Sequence, residues 1–247
     1  MRPLLLATTA ALLAACNASE SVATNNDGAA QPAATGEQGR PFQVQEIARF
    51  DEPWAMTFIP GTGQALITQK AGKLMLWNDG GAVTQVQGVP TVDYGGQGGL
   101  GDVIVHPDFA NNGFVYLSWV EAGEGDTRGA AVGRGKLVLE GETARIDDMQ
   151  VIWRQDPKVT GRGHYGHRLA FSPDGFLYIS SGDRQKFDPA QDRNANLGKI
   201  IRLTDAGGVP SDNPFYDQGA VTSQIWSLGH RNPLGIAFDA EGRLWGH

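Results

Sequence analysis

Three short segments carry the residues of this chain best suited to acid–base chemistry and to binding a ligand. Residues 161–169 read Gly-Arg-Gly-His-Tyr-Gly-His-Arg-Leu and include His164 and His167. Neutral imidazole accepts a proton near neutral pH, so a histidine in such a loop is a candidate general base. In an extended segment the two rings would point to opposite faces, so we do not expect a shared metal. A structural hydrogen bond is the alternative role.

The second segment, residues 227–235, places an arginine beside an asparagine. It reads Ser-Leu-Gly-His-Arg-Asn-Pro-Leu-Gly. Arg231 offers a fork of N–H donors suited to carboxylates or quinone carbonyls, and Asn232 offers both a donor and an acceptor. The alternative is an ion-paired arginine in a structural turn.

The third segment, residues 94–102, is rich in glycine and reads Tyr-Gly-Gly-Gln-Gly-Gly-Leu-Gly-Asp. Its glycines allow a close approach of the backbone to a ligand, and Gln97 adds a neutral hydrogen-bonding side chain. It lacks the lysine of a P-loop and the helix of a dinucleotide fold, so it is not a phosphate-binding fingerprint. A flexible turn is the alternative.

Short strands must position these segments. From about residue 42 the chain consists of short apolar runs broken by Gly, Asp, Asn and Pro, which predicts strands. An apolar strand, a Pro-Asp-Gly-type turn and a second strand recur four times, with turns at Pro60, Pro107, Pro173 and Ala240. The spacings of 47, 66 and 67 residues suit blades of a β-propeller. A β-sandwich is the alternative.

The repeat gives the three segments a common position, because each precedes the first strand of a successive repeat. Loops that enter the inner strands of a propeller lie on one rim, so we expect these segments to converge there. We predict an all-β chain with three complete blades and the start of a fourth. Closed propellers have four to eight blades, so we expect this chain to be a truncated part of a longer protein.

The N-terminus predicts export and lipidation. Arg2 precedes an apolar run over residues 4–15, which is too short to span a membrane and is typical of a signal peptide. Leu-Ala-Ala-Cys at 13–16 is similar to a bacterial lipobox, so Cys16 is the expected lipid site. The protein would then be a periplasmic lipoprotein, anchored to the membrane only through this lipid. An ordinary secretory signal is the alternative.

The predicted organisation has three parts: a signal peptide at 1–15, a flexible tether at 16–41 and a partial propeller domain at 42–247. The tether is rich in Ala, Asn, Ser and Gly and has no apolar periodicity. A net charge of −7 without a lysine or arginine cluster argues against nucleic-acid binding. A single cysteine excludes an internal disulfide.

Several segments together carry a resemblance to a known family. They are Pro-Trp-Ala-Met at 53–56, Gly-Gly-Gln-Gly-Gly-Leu at 95–100, His-Pro-Asp-Phe at 106–109, His-Tyr-Gly-His-Arg-Leu at 164–169, Gly-Asp at 182–183, Leu-Gly-Lys-Ile at 197–200 and Leu-Gly-His-Arg-Asn-Pro at 228–233. With them the sequence resembles the soluble glucose and aldose sugar dehydrogenases that use pyrroloquinoline quinone (PQQ), also called glucose/sorbosone dehydrogenases. The resemblance runs from about residue 42 to the last residue.

The resemblance implies a six-bladed propeller with PQQ and calcium at one rim. It implies oxidation of aldose sugars at the anomeric carbon to lactones, with electrons passing to an external acceptor. His164 matches the general base that takes the hydroxyl proton while hydride moves to the quinone. Arg231 and Asn232 match residues that touch the quinone, and Gln97 matches a residue of the sugar pocket.

The chain departs from the family pattern at two places. The glucose enzyme has an acidic residue before the base, where this chain has Gly163, which implies a broader sugar preference. The family's calcium ligands and further PQQ-binding residues would lie beyond His247. We therefore expect no metal ligand within this chain, and weak binding of PQQ and calcium by the chain alone.

Two other functions stay open at this point. One is a non-catalytic propeller that binds sugars or proteins, because propellers host many functions. The other is a propeller lactonase, which would need a calcium site rich in carboxylates. Asp183, Gln191 and Asp192 are either ligands or turn formers, and turn formation is the favoured interpretation.

Overall fold

The computed structural model describes residues 42–141 and 143–247, and residues 47–247 form one compact unit. The predictions for residues 1–41, including the signal peptide, the tether and the lipid at Cys16, lie outside the described residues. Within the described part, no helix is both long enough and apolar enough to cross a membrane.

Fourteen strands make up most of the regular structure of the described residues. They are β1 (Pro53–Phe58), β2 (Gln64–Gln69), β3 (Lys73–Asn78), β4 (Val83–Gln87), β5 (Leu100–Val105), β6 (Phe114–Ala122), β7 (Arg128–Glu140), β8 (Thr143–Arg154), β9 (Gly166–Phe171), β10 (Leu177–Ser181), β11 (Lys199–Leu203), β12 (Ile225–Leu228), β13 (Ile236–Phe238) and β14 (Leu244–Gly246). A one-turn helix, Phe109–Asn112, and 3₁₀ turns at Asp188–Ala190, Tyr216–Gln218 and Thr222–Gln224 lie between them.

The strands form antiparallel meanders of four. β1 to β4, β5 to β8 and β9 to β12 each pair in chain order, and β13 pairs with β14. The first two meanders join through a short parallel pairing of β4 with β8, at Val86 with Ala144 and Gln87 with Arg145. This pairing makes one continuous sheet of eight strands.

The first strands of successive meanders are neighbours: β1 contacts β5, β5 contacts β9, and β9 contacts β13. This is the arrangement of inner strands around the axis of a propeller. The described residues therefore contain three complete blades and a hairpin of a fourth, which confirms the predicted all-β propeller fold. The four predicted turns, at Pro60, Pro107, Pro173 and Ala240, each connect the first two strands of a blade.

The core lies between the faces of neighbouring blades. Along β6, Leu117 and Trp119 pack toward the first blade, whereas Tyr116 and Val120 pack toward the third. Side chains alternate between the two faces of a strand, so a strand with a blade on each side is apolar throughout. This explains why the sequence shows continuous apolar runs. Full burial of a residue such as Leu117 stabilises the fold by about 2 kcal/mol.

Candidate active site

The three loops predicted to converge are joined by hydrogen bonds at one rim. The backbone N–H of His164 donates to Gln97 Oε1 over 2.7 Å. The N–H of Gly166 donates to Asn232 Oδ1 over 3.0 Å. The loops before β5, β9 and β13 are therefore fixed to one another by side chains that the sequence singled out.

The imidazole of His164 is held by a buried carboxylate. Its Nδ1 lies 2.7 Å from Asp183 Oδ1, and the same oxygen accepts the N–H of Gln185 over 2.8 Å. A carboxylate accepts hydrogen bonds, so the proton of neutral His164 is on Nδ1 and Nε2 is free to take another. His164 is 8% exposed and has a φ of 52°, an uncommon backbone conformation outside glycine.

Close packing of the backbone brings the side chains of His164 and Asp183 into contact. Asp183 follows the end of β10, and its N–H donates to the carbonyl oxygen of Arg231 over 2.7 Å. Gly182, one residue earlier, leaves no room for a side chain: a Cβ there would lie 2.0 Å from the carbonyl oxygen of His164. The glycine therefore allows the end of β10 to lie against the loop that carries His164.

A cavity of about 590 Å³ opens at this rim and is lined by His164, Arg231 and Asn232. Trp226, Ser227, His230 and Pro233 also line it. Within the described residues, the guanidinium of Arg231 has no hydrogen-bond or ion-pair partner, and neither has Nδ2 of Asn232. The cavity therefore offers a cation and an amide donor to a ligand, and the histidine that lines it has a lone pair on Nε2.

His230 contributes no positive charge to this cavity. Burial, with the nearby charge of Lys199, lowers the pKa of His230 below its ordinary value, and its Nε2 lies 2.9 Å from Ser227 Oγ. The ring is therefore neutral near neutral pH. The charge that faces a ligand from this loop comes from Arg231.

A sequence model of the Glucose / Sorbosone dehydrogenase family matches residues 50–247. The chain belongs to this family. It is 40% identical over 199 residues to the aldose sugar dehydrogenase YliI of Escherichia coli (strain K12), covering 80% of this chain and 53% of that protein. It is 28% identical over 224 residues to quinoprotein glucose dehydrogenase B of Acinetobacter calcoaceticus, covering 80% of this chain and 46% of that protein.

A solved family structure has a similar fold. The PQQ-bound form of an aldose sugar dehydrogenase from Streptomyces coelicolor superposes with a TM-score of 0.70 at 29% identity, covering 82% of this chain and 58% of that chain. This chain spans about half the length of the curated relatives it matches.

The residues predicted from the sequence fall at two adjoining cavities. His164, Arg231 and Asn232 line the larger one. Gln97 and His167 line a second cavity of about 290 Å³, which Asn232 also borders. The segment from His164 to His167 is not extended as expected, because both histidines adopt left-handed φ values of 52° and 51°. The roles of these residues stay predictions.

Asp183 is a site residue that the sequence did not assign to the site. The sequence favours turn formation for Asp183, and Oδ1 does accept the N–H of Gln185, but the same oxygen contacts His164. The family segment Gly-Asp at 182–183 was the available signal. Asp192 does form a turn, because its Oδ1 accepts the N–H of Asn194 over 2.9 Å. Gln191 lies beside the turn at Gly229.

A second unpredicted residue, Arg184, holds the loop before His164 in place. Its guanidinium donates to the carbonyl oxygens of Gly163 over 2.9 Å, Gly161 over 2.5 Å and Arg128 over 2.5 Å. It also lies 3.9 Å above the centre of the Tyr165 ring. Burial lowers the pKa of Arg184, and the three carbonyls with the aromatic face compensate its desolvation.

The larger cavity fits part of a quinone such as PQQ, because its unpartnered guanidinium and amide suit carbonyl and carboxylate oxygens. The fit to calcium is different. In the described ranges, no three His, Cys, Asp or Glu side chains are grouped closely enough to hold a metal ion. The side chains of this site that can bind a ligand or move a proton are His164, Asp183, Arg231, Asn232 and Gln97.

Proposed function

We propose that the complete protein oxidises aldose sugars at the anomeric carbon to lactones and passes the electrons through PQQ to an external acceptor. The relatives named aldose sugar dehydrogenase and quinoprotein glucose dehydrogenase support this activity. One observation carries it: His164, with Nδ1 bonded to Asp183, lines the same cavity as the unpaired guanidinium of Arg231.

The reaction removes a proton from the anomeric hydroxyl and a hydride from the carbon that bears it. When bound, the quinone supplies the hydride acceptor. His164 takes the hydroxyl proton at Nε2, because Nδ1 already carries the proton that it donates to Asp183. Loss of this proton pushes electrons toward the carbon, so the C–H bond breaks as the C=O bond of the lactone forms.

Asp183 has two effects on His164 in this scheme. It fixes the ring so that Nε2 faces the cavity, and its negative charge stabilises the imidazolium that forms after proton transfer. A charge-assisted hydrogen bond of this kind contributes about 1.5–3 kcal/mol. The positive φ of His164 and the close approach of Gly182 hold the ring at this carboxylate.

Arg231 and Asn232 would bind the quinone oxygens, and Gln97 would line the sugar pocket. A fixed guanidinium stabilises the negative charge that a quinone gains on reduction. We propose calcium as the second cofactor of the complete protein. We also propose a periplasmic location, with Cys16 as the lipid anchor.

The test is a dye-linked oxidation assay of the complete protein, loaded with PQQ and calcium, on a panel of aldoses. His164→Ala should lower kcat by at least about a hundredfold, because positioned general bases contribute about 10²–10⁴-fold. His106→Ala is the matched control. His106 follows β5 at the opposite rim and contacts Tyr116 and Phe171, so this variant should keep wild-type kcat.

Two results would overturn the proposal. One is wild-type kcat in His164→Ala, which would remove the base. The other is a wild-type protein that oxidises no aldose when PQQ and calcium are present. Hydrolysis of lactones without PQQ in that second case would favour a lactonase, and sugar binding without turnover would favour a non-catalytic propeller.

A further inference from the structure

The smaller cavity beside the site has a set of side chains that the proposed reaction does not use. It is lined by Trp54, Lys70, Gly96, Gln97, Tyr165, Gly166, His167, Asn232 and Leu234. Asn232 borders the larger cavity as well, so the two spaces adjoin at this residue. A ligand that reaches Asn232 from the side of His164 therefore comes to the border of the cavity that His167 lines.

The hydrogen bonds around the hydroxyl of Ser118 determine the tautomer of His167. Ser118 Oγ accepts the N–H of Asp102 over 2.7 Å and donates its single proton to the carbonyl oxygen of His167 over 2.7 Å. The same hydroxyl lies 2.8 Å from His167 Nδ1. Because its only proton is already used, the hydroxyl can only accept from Nδ1. The proton of His167 is therefore on Nδ1, and Nε2 carries a lone pair.

Nε2 of His167 is an acceptor without a partner among the described residues. His167 is 2% exposed, and its Nε2 makes no hydrogen bond to any residue in the described ranges. The Nδ1–Cε1 edge packs against Ser118 and Gly101, where an added Cβ would lie 2.0 Å from Cε1. The opposite edge, with Nε2, is what remains to face the cavity. Because no described protein group uses this lone pair, it is available to a donor that enters the cavity.

The ring is rigid and uncharged. It stacks on Trp54 with centroids 5.0 Å apart and an interplanar angle of 27°. Burial lowers the pKa of His167 to about 3, and the charges of Arg168 and Arg184 act in the same direction. His167 is therefore neutral wherever an enzyme of this kind works, and it can neither act as a cation nor take a proton.

The rest of the cavity supplies donors. Gln97 Oε1 accepts a backbone N–H, so its amide nitrogen is identified and is left without a partner among the described side chains. Lys70 adds an ammonium group, paired with Glu52 at 3.5 Å. One fixed acceptor beside amide and ammonium donors suits a neutral hydroxyl, which both donates and accepts. A purely anionic ligand would leave His167 unpaired.

We propose that Nε2 of His167 accepts a hydrogen bond from an aldose hydroxyl remote from the anomeric carbon, and that this contact determines which sugars bind. The identity of the ligand rests on the proposed function, whereas the acceptor and the cavity do not. A site built to bond a hydroxyl rejects the analogue that lacks it, because the buried partner is then left unpaired.

The kinetic test combines His167→Phe with a series of monodeoxy-glucoses, in the complete protein loaded with PQQ and calcium. Phenylalanine keeps a ring against Trp54 and removes both nitrogens. The wild type should lose about three- to tenfold in kcat/KM on one deoxy sugar, mainly through KM. His167→Phe should show an equal kcat/KM for that sugar and glucose. His106→Phe is the matched control and should keep the wild-type pattern.

A second measurement does not depend on turnover or on a tolerated substitution. In the unmutated protein, the ¹⁵N chemical shift of His167 Nε2 should move when glucose is added and stay unchanged with the discriminated deoxy sugar. The ¹⁵N shifts of His106 should not move with either.

The outcomes separate this proposal from the proposed function. Oxidation of aldoses with the same deoxy-sugar pattern in wild type and His167→Phe would refute the hydroxyl contact and leave the dehydrogenase intact. A shift of His167 Nε2 on glucose binding in a protein that oxidises no aldose would support the contact and refute the dehydrogenase. An Nε2 shift that no sugar moves would also refute the contact.

Discussion

Replacing Asp102 by asparagine should lower the free energy of unfolding in mild acid. Asp102 and His167 are buried groups whose proton binding on unfolding changes in opposite directions, and the substitution removes only the first. Asp102 is 2% exposed, and burial raises its pKa from 3.8 to about 6 despite Arg168, whose Nε lies 3.4 Å from Asp102 Oδ2. His167 lies beyond Ser118, which contacts both residues, and burial lowers its pKa from 6.5 to about 3.

The signs of the two contributions are opposite. Between about pH 4 and pH 6 the folded state binds more protons at Asp102 than the unfolded state, so this group alone makes stability fall as pH rises. In the same window the folded state binds fewer protons at His167, so that group alone makes stability fall as pH drops. Together the two groups leave the free energy of unfolding nearly independent of pH in this window.

In Asp102→Asn, only the contribution of His167 remains. The variant should lose about 1.4 kcal/mol of unfolding free energy per pH unit below about pH 6, or about 3 kcal/mol by pH 4. The contributions of the other carboxylates are the same in both proteins and cancel in the difference. Urea unfolding, followed by tryptophan fluorescence at several pH values from about 4 to about 7, measures this difference.

Asp79→Asn changes an exposed carboxylate and should follow the wild-type profile. A constant difference between wild type and Asp102→Asn at every pH would refute the raised pKa of Asp102. If the free energy of unfolding of the wild type instead rose relative to that of Asp102→Asn toward neutral pH, Arg168 would stabilise Asp102 as a carboxylate.

Two further predictions concern residues that position the candidate base. Asp183→Asn should lower kcat by about 10–150-fold with little change in KM, because it removes a charge-assisted hydrogen bond of about 1.5–3 kcal/mol to His164. Steady-state kinetics of the complete protein, loaded with PQQ and calcium, measure this, and an unchanged kcat would contradict it. Arg184→Met should lower the free energy of unfolding by about 3 kcal/mol, because three carbonyl oxygens lose their donor. Arg184→Lys should recover only part of this loss, since an ammonium group cannot reproduce the planar fork of donors. A loss below about 1 kcal/mol for Arg184→Met in urea unfolding would count against a role of Arg184 in holding the loop.

The blades and the convergence of the loops could be predicted from the sequence because both depend on local signals. Each Pro-Asp-Gly-type turn marks the connection between the first two strands of a blade, and the spacing of the turns gives the repeat. Once the repeat is known, His164 and Arg231 must lie before inner strands on the same rim. Their placement around one cavity therefore follows from the order of the motifs along the chain.

Asp183 and Arg184 could not be assigned in this way. Their partners lie between 19 and 56 residues earlier, and contact with the loop before β9 depends on the irregular pairing of β9 with β10 between Ile179 and Ser181. Arg184 and Gln185 also adopt positive φ values of 56° and 60°, which no local pattern indicates for these residue types. Side-chain contacts across such a distorted hairpin require the three-dimensional register of the backbone.

The short parallel pairing of β4 with β8 protects the outside of the first two blades. A strand at the rim of a sheet exposes unpaired amide and carbonyl groups that can recruit strands from other molecules. Here the edge strands β4 and β8 pair with each other at Val86 and Gln87, so neither edge is open there to a strand of another molecule. Among the described strands, β12 has no partner on its outer side, so the outer edge of the third blade keeps the unpaired backbone groups that the first two blades cover.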